Sequence, residues 1–134
     1  MDLSNLAINQ DGFKVELTHP VTGEVLTCDS KKPQAMYVSI LSQDSAEYRR
    51  ATSKALRKNQ SDKGRKQDID LDKTWDTTAE ILADITTDCY LYINGETVSF
   101  SRDKMIEIYS DNKFKWIKEQ VEQASAERAN FIKG

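Results

Sequence analysis

Residues 13–28 read FKVELTHPVTGEVLTC, and this stretch decides how the N-terminal third of the chain is organised. Apolar and polar residues alternate on both sides of HPVTG, which occupies residues 19–23. Pro20 presets the φ angle of an early turn position, and Gly23 can adopt the positive φ that a chain reversal needs. Alternation with a period of two around such a pair is typical of a β-hairpin. We expect residues 13–18 and 25–28 to form its two strands.

His19, the single histidine of the chain, lies at the end of the first of these strands. A catalytic or metal-binding histidine needs partners, and the sequence has no second histidine and no cluster of cysteine and acidic residues at ligand spacing near it. We therefore expect His19 to be solvated or bonded to the backbone of the turn.

A third extended segment follows in AMYVSIL, residues 35–41, which is short, apolar and rich in strand-forming residues. Residues 1–42 are thus predicted to form a small antiparallel β-meander. Such a sheet is marginally stable alone, so helices from the rest of the chain must cover its apolar face.

The hydrophobic pattern becomes helical in SQDSAEYRRATSKALRKNQ, residues 42–60. Asp44 followed by Glu47 matches a capping box, with Asp44 as the N-cap. The apolar stripe of this helix is thin, which predicts a surface position. Its members are Tyr48, Ala51, Ala55 and Leu56. The polar residues 59–70 are predicted to form a loop.

Beyond this loop, one apolar face at helical spacing continues to Tyr92. It contains Trp75, Ala79, Leu82, Ile85, Cys89 and Tyr92. CYLYINGETVSF, residues 89–100, also suits a hairpin around the turn at Asn94 and Gly95, and propensity leaves both interpretations open.

The last third is clearly helical in pattern. Ser101 is predicted to cap a short helix that carries Met105, Ile108 and Tyr109, and Asp111 is predicted to cap the final helix. An apolar seam with steps of three and four then follows. It comprises Phe114, Ile117, Val121, Ala124, Arg128 and Phe131. The seam is either the inner face of a core helix or an exposed seam for another chain.

These elements predict one α+β domain over residues 1–134, with the β-meander over 1–42 and a mostly α-helical region over 43–134. The apolar segments are far shorter than the roughly 18 residues of a membrane-spanning helix, and the N-terminus lacks the features of a secretory signal. We therefore expect a cytoplasmic protein that does not associate with membranes. Cys28 and Cys89 are predicted to be reduced packing residues.

The sequence carries no recognisable catalytic or cofactor-binding motif. DIDLD, residues 68–72, resembles the start of a calcium loop, but Lys73 replaces the required glycine and Ala79 the required glutamate. A phosphate-binding glycine loop and a nucleophile with a histidine base are also missing. The prediction is a protein that is not an enzyme and has no cofactor, catalytic residue or metal site.

Charge is distributed unevenly, although the net charge is only −3. Residues 44–66 hold eight basic residues and three acids, whereas residues 68–88 hold seven acids and one lysine. Three interpretations stay open: a solvated surface with internal ion pairs, a nucleic-acid-binding stretch, or opposite surfaces that attract successive copies head to tail. Nucleic acid is disfavoured because aromatic residues are nearly absent from the basic stretch.

The order of several segments resembles the tail assembly chaperones of long-tailed bacteriophages and prophages. The segments are THPVTGEVL (18–26), DSAEYRRA (44–51), NGETVSFS (94–101), WIKEQV (116–121) and ERANFI (127–132). The resemblance covers nearly the whole chain and departs from the family pattern in the long polar loop around Gly64 and in the CYLYI stretch, residues 89–93.

The resemblance implies a factor that coats the tape measure protein, helps to recruit the major tail protein, self-associates, acts in the host cytoplasm and leaves the mature virion. For its client we expect an apolar groove formed by Trp116, Ile117, Val121 and Phe131, or else the basic helix that carries Arg49, Arg50 and Lys54. The alternatives are a nucleic-acid-binding regulator that uses Arg49 to Lys66, and an enzyme subunit without an active site of its own.

Overall fold

A computed structural model describes residues 2–8, 11–27, 34–61 and 71–132 of the chain. The elements in chain order are β1 (Phe13–Glu16), β2 (Tyr37–Ile40), α1 (Ala46–Ser61), α2 (Leu71–Ile85), β3 (Thr86–Tyr90), β4 (Tyr92–Ile93), β5 (Glu96–Thr97), α3 (Arg102–Ser110) and α4 (Lys115–Ala126). Short 3-10 turns lie at Leu3–Leu6, Asn112–Phe114 and Arg128–Phe131. The predicted α+β class is confirmed.

The central strand of the main sheet is β2. It pairs antiparallel with β1, where Val15 lies opposite Val38, and antiparallel with β3, where Val38 lies opposite Cys89. A β-bulge interrupts the second pairing between Ser39 and Ile40. Because side chains alternate across a strand, this register turns Val15, Val38, Ile40 and Cys89 to the buried face.

The predicted third extended segment, residues 35–41, is observed as β2, but the prediction that residues 1–42 supply the whole sheet is wrong, because the second predicted strand does not form a full strand. The local hairpin exists, since Leu26 N–H donates to Leu17 O at 2.9 Å, but residues 25–27 form only isolated bridges with Thr18 and Ala35. The third full strand is β3, far along the chain. Local alternation identifies a strand but not its distant partner, which is selected by burial of the whole sheet face.

The turn at residues 19–23 has the expected form. His19 Nδ1 accepts hydrogen bonds from the N–H groups of Val21 and Thr22 at 3.1 and 3.2 Å. The His19 N–H donates to Glu24 O at 2.8 Å, and Gly23 adopts a φ of 75°. His19 therefore stabilises the reversal through the turn backbone, as the sequence predicts.

A helix that continues to Tyr92 is also wrong. The helix α2 ends at Ile85, and the next residue, Thr86, starts β3. The β4–β5 hairpin follows, with Asn94 at φ 54° and Gly95 at φ 80°, the two positive angles of a type I′ turn. The hairpin interpretation is confirmed, since Tyr92 pairs with Thr97 and Ile93 with Glu96, and β-branched and aromatic residues favour strands.

Some predictions fall partly or wholly outside the described residues. The helix α1 continues to Ser61, so the start of the predicted loop over 59–70 is helical, and the description stops there until Leu71. Cys28 and the side chain of Trp75 also lie outside the described part of the structure.

The C-terminal helices begin close to their predicted caps. Ser101 Oγ accepts a hydrogen bond from the Lys104 N–H at 3.1 Å and caps α3. Asp111 accepts from the Lys113 N–H at 2.9 Å, so it caps the 3-10 turn that leads into α4 rather than α4 itself. The correction arises because one extra turn separates the cap from the helix.

The core lies between the inner face of the sheet and the helices. Its largest fully buried side chains come from both regions: Leu17, Val38, Ile40, Leu82, Ile85, Leu91, Met105, Tyr109, Val121 and Phe131. The side-chain amide of Gln120 on α4 accepts from the Thr18 N–H at 3.0 Å and donates to Thr18 O at 2.8 Å. This pair of hydrogen bonds fixes α4 to the chain just beyond β1.

A buried hydroxyl pair joins α3 to the start of β3. Thr86 Oγ1 donates to Leu82 O at 2.7 Å, and it lies 2.8 Å from the Tyr109 hydroxyl. The single hydroxyl proton of Thr86 is used for Leu82, so Tyr109 donates to Thr86. Burial raises the pKa of Tyr109, which keeps this proton in place.

We predict that Thr86→Val destabilises the protein more than Tyr109→Phe does. The valine leaves the buried Tyr109 hydroxyl without a partner, which costs roughly 1–3 kcal/mol, whereas the phenylalanine removes one hydrogen bond worth roughly 0.5–1.5 kcal/mol. The measurement is the free energy of unfolding in urea. The double variant should be more stable than Thr86→Val alone; an equal or lower stability would show that the valine does not leave the Tyr109 hydroxyl unsatisfied.

Candidate partner-binding surface

The predicted C-terminal seam is covered by the chain's own core. Ile117, Val121 and Phe131 are 3%, 0% and 1% exposed, and Trp116 is half-buried against the same core. The helix α4 ends at Ala126, so Phe131 reaches the core from the 3-10 turn that follows. The core-helix interpretation accounts for Ile117 and Val121, and Phe131 is a core residue beyond the helix; none of the three offers an open groove to another chain in this conformation.

Phe131 is the anchor of the C-terminal turn. Its ring packs edge-on against Phe13 of β1, with the ring centroids 6.0 Å apart. The terminal ERANFI segment therefore holds the first strand of the sheet, and its aromatic residue is explained by packing.

A polar clamp joins the same segment to the start of α1. Arg128 Nε donates to Asp44 Oδ2 at 2.8 Å, and its Nη2 lies 3.4 Å from Asp44 Oδ1. One turn earlier, the Gln43 N–H donates to Ser125 O at 3.0 Å, and Gln43 Nε2 donates to Ser125 Oγ at 3.2 Å. These contacts hold the β2–α1 connection against the end of α4.

The clamp also corrects the predicted cap of α1. The helix starts at Ala46, and Ser45 Oγ accepts from the Tyr48 N–H at 3.1 Å, so Ser45 is the N-cap. Asp44 is engaged by Arg128, and Glu47 pairs with Arg50 at 3.2 Å instead of completing a capping box. Sequence spacing alone could not reveal a competing cation that lies 84 residues away.

The exposed side of α1 is strongly basic. Arg49, Arg50, Lys54 and Arg57 are all exposed, and we call this surface the basic face of α1. Leu56, the last member of the predicted apolar stripe, lies beside it and is 58% exposed. Only the stripe members Ala51 and Ala55 are fully buried, and Tyr48 is half-buried.

A narrow groove of about 200 Å³ runs between α1 and α2 at one border of the basic face. Lys54 lines the α1 side, and Glu80 and Asp84 line the α2 side. Asp84 pairs with Arg102 at the start of α3. The Asp84–Arg102 ion pair thus neutralises one acid of the acidic stretch within the protein. The exposed basic residues on the side of α1 away from this groove keep their excess of positive charge.

A second, wider and shallower groove of about 520 Å³ lies between Gln43 and α4. Its lysines and glutamates are matched along α4, with Lys118 Nζ at 3.3 Å from Glu122 and Lys115 Nζ at 3.9 Å from Glu119. It presents no excess of one charge, so the basic face of α1 is the stronger candidate for a charged partner.

The described residues contain no group of three or more His, Cys, Asp or Glu side chains arranged to hold a metal ion. The start of DIDLD lies outside those residues. Cys89 is buried, and burial together with the Asp88 charge raises the pKa of its thiol to about 11. The thiol is therefore protonated at neutral pH and packs as a small apolar group.

We predict that Arg128→Gln raises the pKa of Asp44. The hydrogen bond from Arg128 holds this pKa below its ordinary value, so Asp44 contributes stability above that value and loses it as the pH falls through the folded-state pKa. NMR titration of the Asp44 carboxyl carbon measures the change. Asp2, whose pKa is lowered by Ser4, is the internal control and should not move.

A second prediction concerns Thr52 on α1, whose buried Oγ1 atom has no hydrogen-bond partner in the described structure. Thr52→Val keeps the shape of the side chain and removes the unpaired hydroxyl, so it should raise the free energy of unfolding by about 1 kcal/mol. Thr52→Ser keeps the hydroxyl and loses the methyl group, and should lower it. A valine variant less stable than wild type would show that the hydroxyl is satisfied in solution.

Comparison with known protein families, curated proteins and solved structures finds no match. Among the described helices, none combines the length and apolar character that a membrane span requires.

Proposed function

We propose that this protein is a tail assembly chaperone of a long-tailed phage or prophage. In this role it coats the tape measure protein, keeps its helical segments soluble and helps to recruit the major tail protein. It acts in the host cytoplasm as a non-enzymatic factor and is absent from the finished virion.

The observation that carries the proposal is the contact between two of the segments on which the resemblance depends. Asp44 is the first residue of DSAEYRRA, Arg128 belongs to ERANFI, and the two side chains form the clamp. Phe131 of ERANFI then fills the core. Segments that lie far apart in the chain thus contact each other in the fold. This contact supports a structural reason for the occurrence of both segments, in this order, in the family pattern.

The basic face of α1 is the surface that we assign to the client. Three arginines and a lysine are exposed there, and Leu56 adds an apolar group at its border. A helical segment with acidic residues beside an apolar stripe would complement this surface. The buried seam of α4 keeps a supporting role, because it positions the C-terminal turn that clamps the start of α1.

Co-expression with the tape measure protein tests the proposal. We predict that wild-type protein keeps the tape measure protein soluble and co-purifies with it. The variant Arg49→Glu/Lys54→Glu should retain at least about tenfold less tape measure protein, because both substitutions reverse the charge at the contact. Pull-down measures retention, and circular dichroism checks the fold.

The matched control is Lys104→Glu/Lys113→Glu, which makes the same change of net charge on another part of the surface and should retain the client. Equal loss in both variants would indicate a general charge effect and remove α1 as the site. Failure of wild-type protein to retain any tape measure segment would contradict the chaperone function. Binding of single-stranded or duplex DNA through the same arginines would favour the regulator instead.

A further inference from the structure

The outer edge of β1 is an unused pairing surface in the described structure. The order of the main sheet is β1-β2-β3, so β1 has β2 on one side, and no other described strand pairs with its opposite side. An open edge is a template for another strand, and proteins usually restrict it with short strands and charged residues. β1 has both features, because it spans only Phe13–Glu16 and exposes Lys14 and Glu16.

The hydrogen bonds around Leu17 show which backbone groups point to this edge. Leu17 N–H donates to Met36 O at 3.0 Å and Leu17 O accepts from Leu26 N–H at 2.9 Å, so both groups of Leu17 point inward. The direction alternates along a strand, which turns the backbone groups of Lys14, Glu16 and Thr18 outward. Gln120 confirms this for Thr18, since its side chain occupies both groups there.

The side chains of Lys14 and Glu16, at the open positions of the edge, carry opposite charges and lie two residues apart. Both are exposed and, by alternation, lie on the outer face of the sheet. Lys14 Nζ lies 4.6 Å from the centroid of the Tyr37 ring, which holds its charge over the sheet. Glu16 lies opposite Tyr37 in the register. The edge thus presents a basic and an acidic group in fixed positions.

These constraints select one register for pairing with an identical strand. An antiparallel pair centred on Val15 places Lys14 of each copy opposite Glu16 of the other, and each such pair exchanges both backbone hydrogen bonds. A shift by two residues in one direction places lysine opposite lysine. A shift in the other direction places glutamate opposite glutamate and requires the Thr18 groups that Gln120 already occupies. Like charges directly opposite each other destabilise a sheet.

We propose that a second copy of this chain pairs through β1, edge to edge and antiparallel about Val15, so that the two main sheets join across a two-fold axis. The contact is isologous, with the same surface used by both copies. It rests on the self-association that the resemblance to tail assembly chaperones implies, and therefore on the proposed function, but it requires no client. Because the paired segment is short, the dimer forms and dissociates with protein concentration.

Charge exchange at the two edge positions tests this pairing. Lys14→Glu places glutamate opposite glutamate, and Glu16→Lys places lysine opposite lysine, so each variant alone should weaken dimerisation by about tenfold or more. An equimolar mixture of the two variants should form a heterodimer, because every cross-strand pair then has opposite charges. The double variant Lys14→Glu/Glu16→Lys should dimerise like wild type. Light scattering over a concentration series measures these four samples and the wild type.

The double variant separates pairing from the Lys14–Tyr37 contact, which it also loses. Restored dimerisation there assigns the effect to the cross-strand pairs, whereas a double variant as weak as the single variants would overturn the proposal. A wild-type chain that stays monomeric at the highest soluble concentration would also overturn it. Retention of the tape measure protein by a monomeric Lys14→Glu variant would leave the chaperone function standing, so the two failures are distinguishable.

Discussion

The pairing of β2 on both of its sides is the constraint on which the rest of the structure depends. Val38 and Ile40 are fully buried, and buried backbone groups must find hydrogen-bond partners. The nearby β1 pairs with the backbone groups on one side of β2, whereas the groups on the other side pair only with β3, far along the chain. The segment between β2 and β3 contains α1 and α2, so this single pairing sets the long helical excursion in the middle of the chain. The bulge next to Ile40 adjusts the register where α2 passes directly into β3.

The helices α3 and α4 and the helix α1 contribute differently to the fold. The helices α3 and α4 contribute large buried side chains, among them Met105, Tyr109 and Val121. By contrast, the fully buried side chains among the described part of α1 are alanines, and polar contacts hold the start of the helix. An element attached in this way contributes little apolar area to the core, so its sequence is free to carry charge. The separation explains why the strongest candidate surface lies on α1 and the strongest packing lies elsewhere.

The success of sequence reasoning followed the range of the interactions involved. The turn at His19, the cap at Ser101 and the reversal at Asn94 depend on neighbours within a few residues, and all three were predictable. The partner of β2 and the engagement of Asp44 depend on residues far along the chain. Periodicity cannot choose between such partners, because several segments have the same apolar pattern.

Prediction of the candidate surface is limited in the same way, because sequence patterns do not show which residues the rest of the fold covers. The basic residues of α1 could be selected from the sequence because a thin apolar stripe leaves most of a helix exposed. The aromatic and aliphatic residues of α4 fit either a core or an interface, and only their burial distinguishes the two. The open edge of β1 required the hydrogen-bond directions around Leu17, which no sequence pattern contains.

The clamp between Asp44 and Arg128 also has a consequence for how the chain acquires its structure during synthesis. Residues 13–40 leave the ribosome long before β3, Gln120 or Arg128 has been synthesised. At that stage β1 and β2 therefore lack the strand β3 and the helices that cover the sheet. Contacts of such large sequence separation carry a high entropic cost before they stabilise anything, and they slow folding. Completion of this fold is therefore a late event, governed by the arrival of the C-terminal segment rather than by the order in which the strands are made.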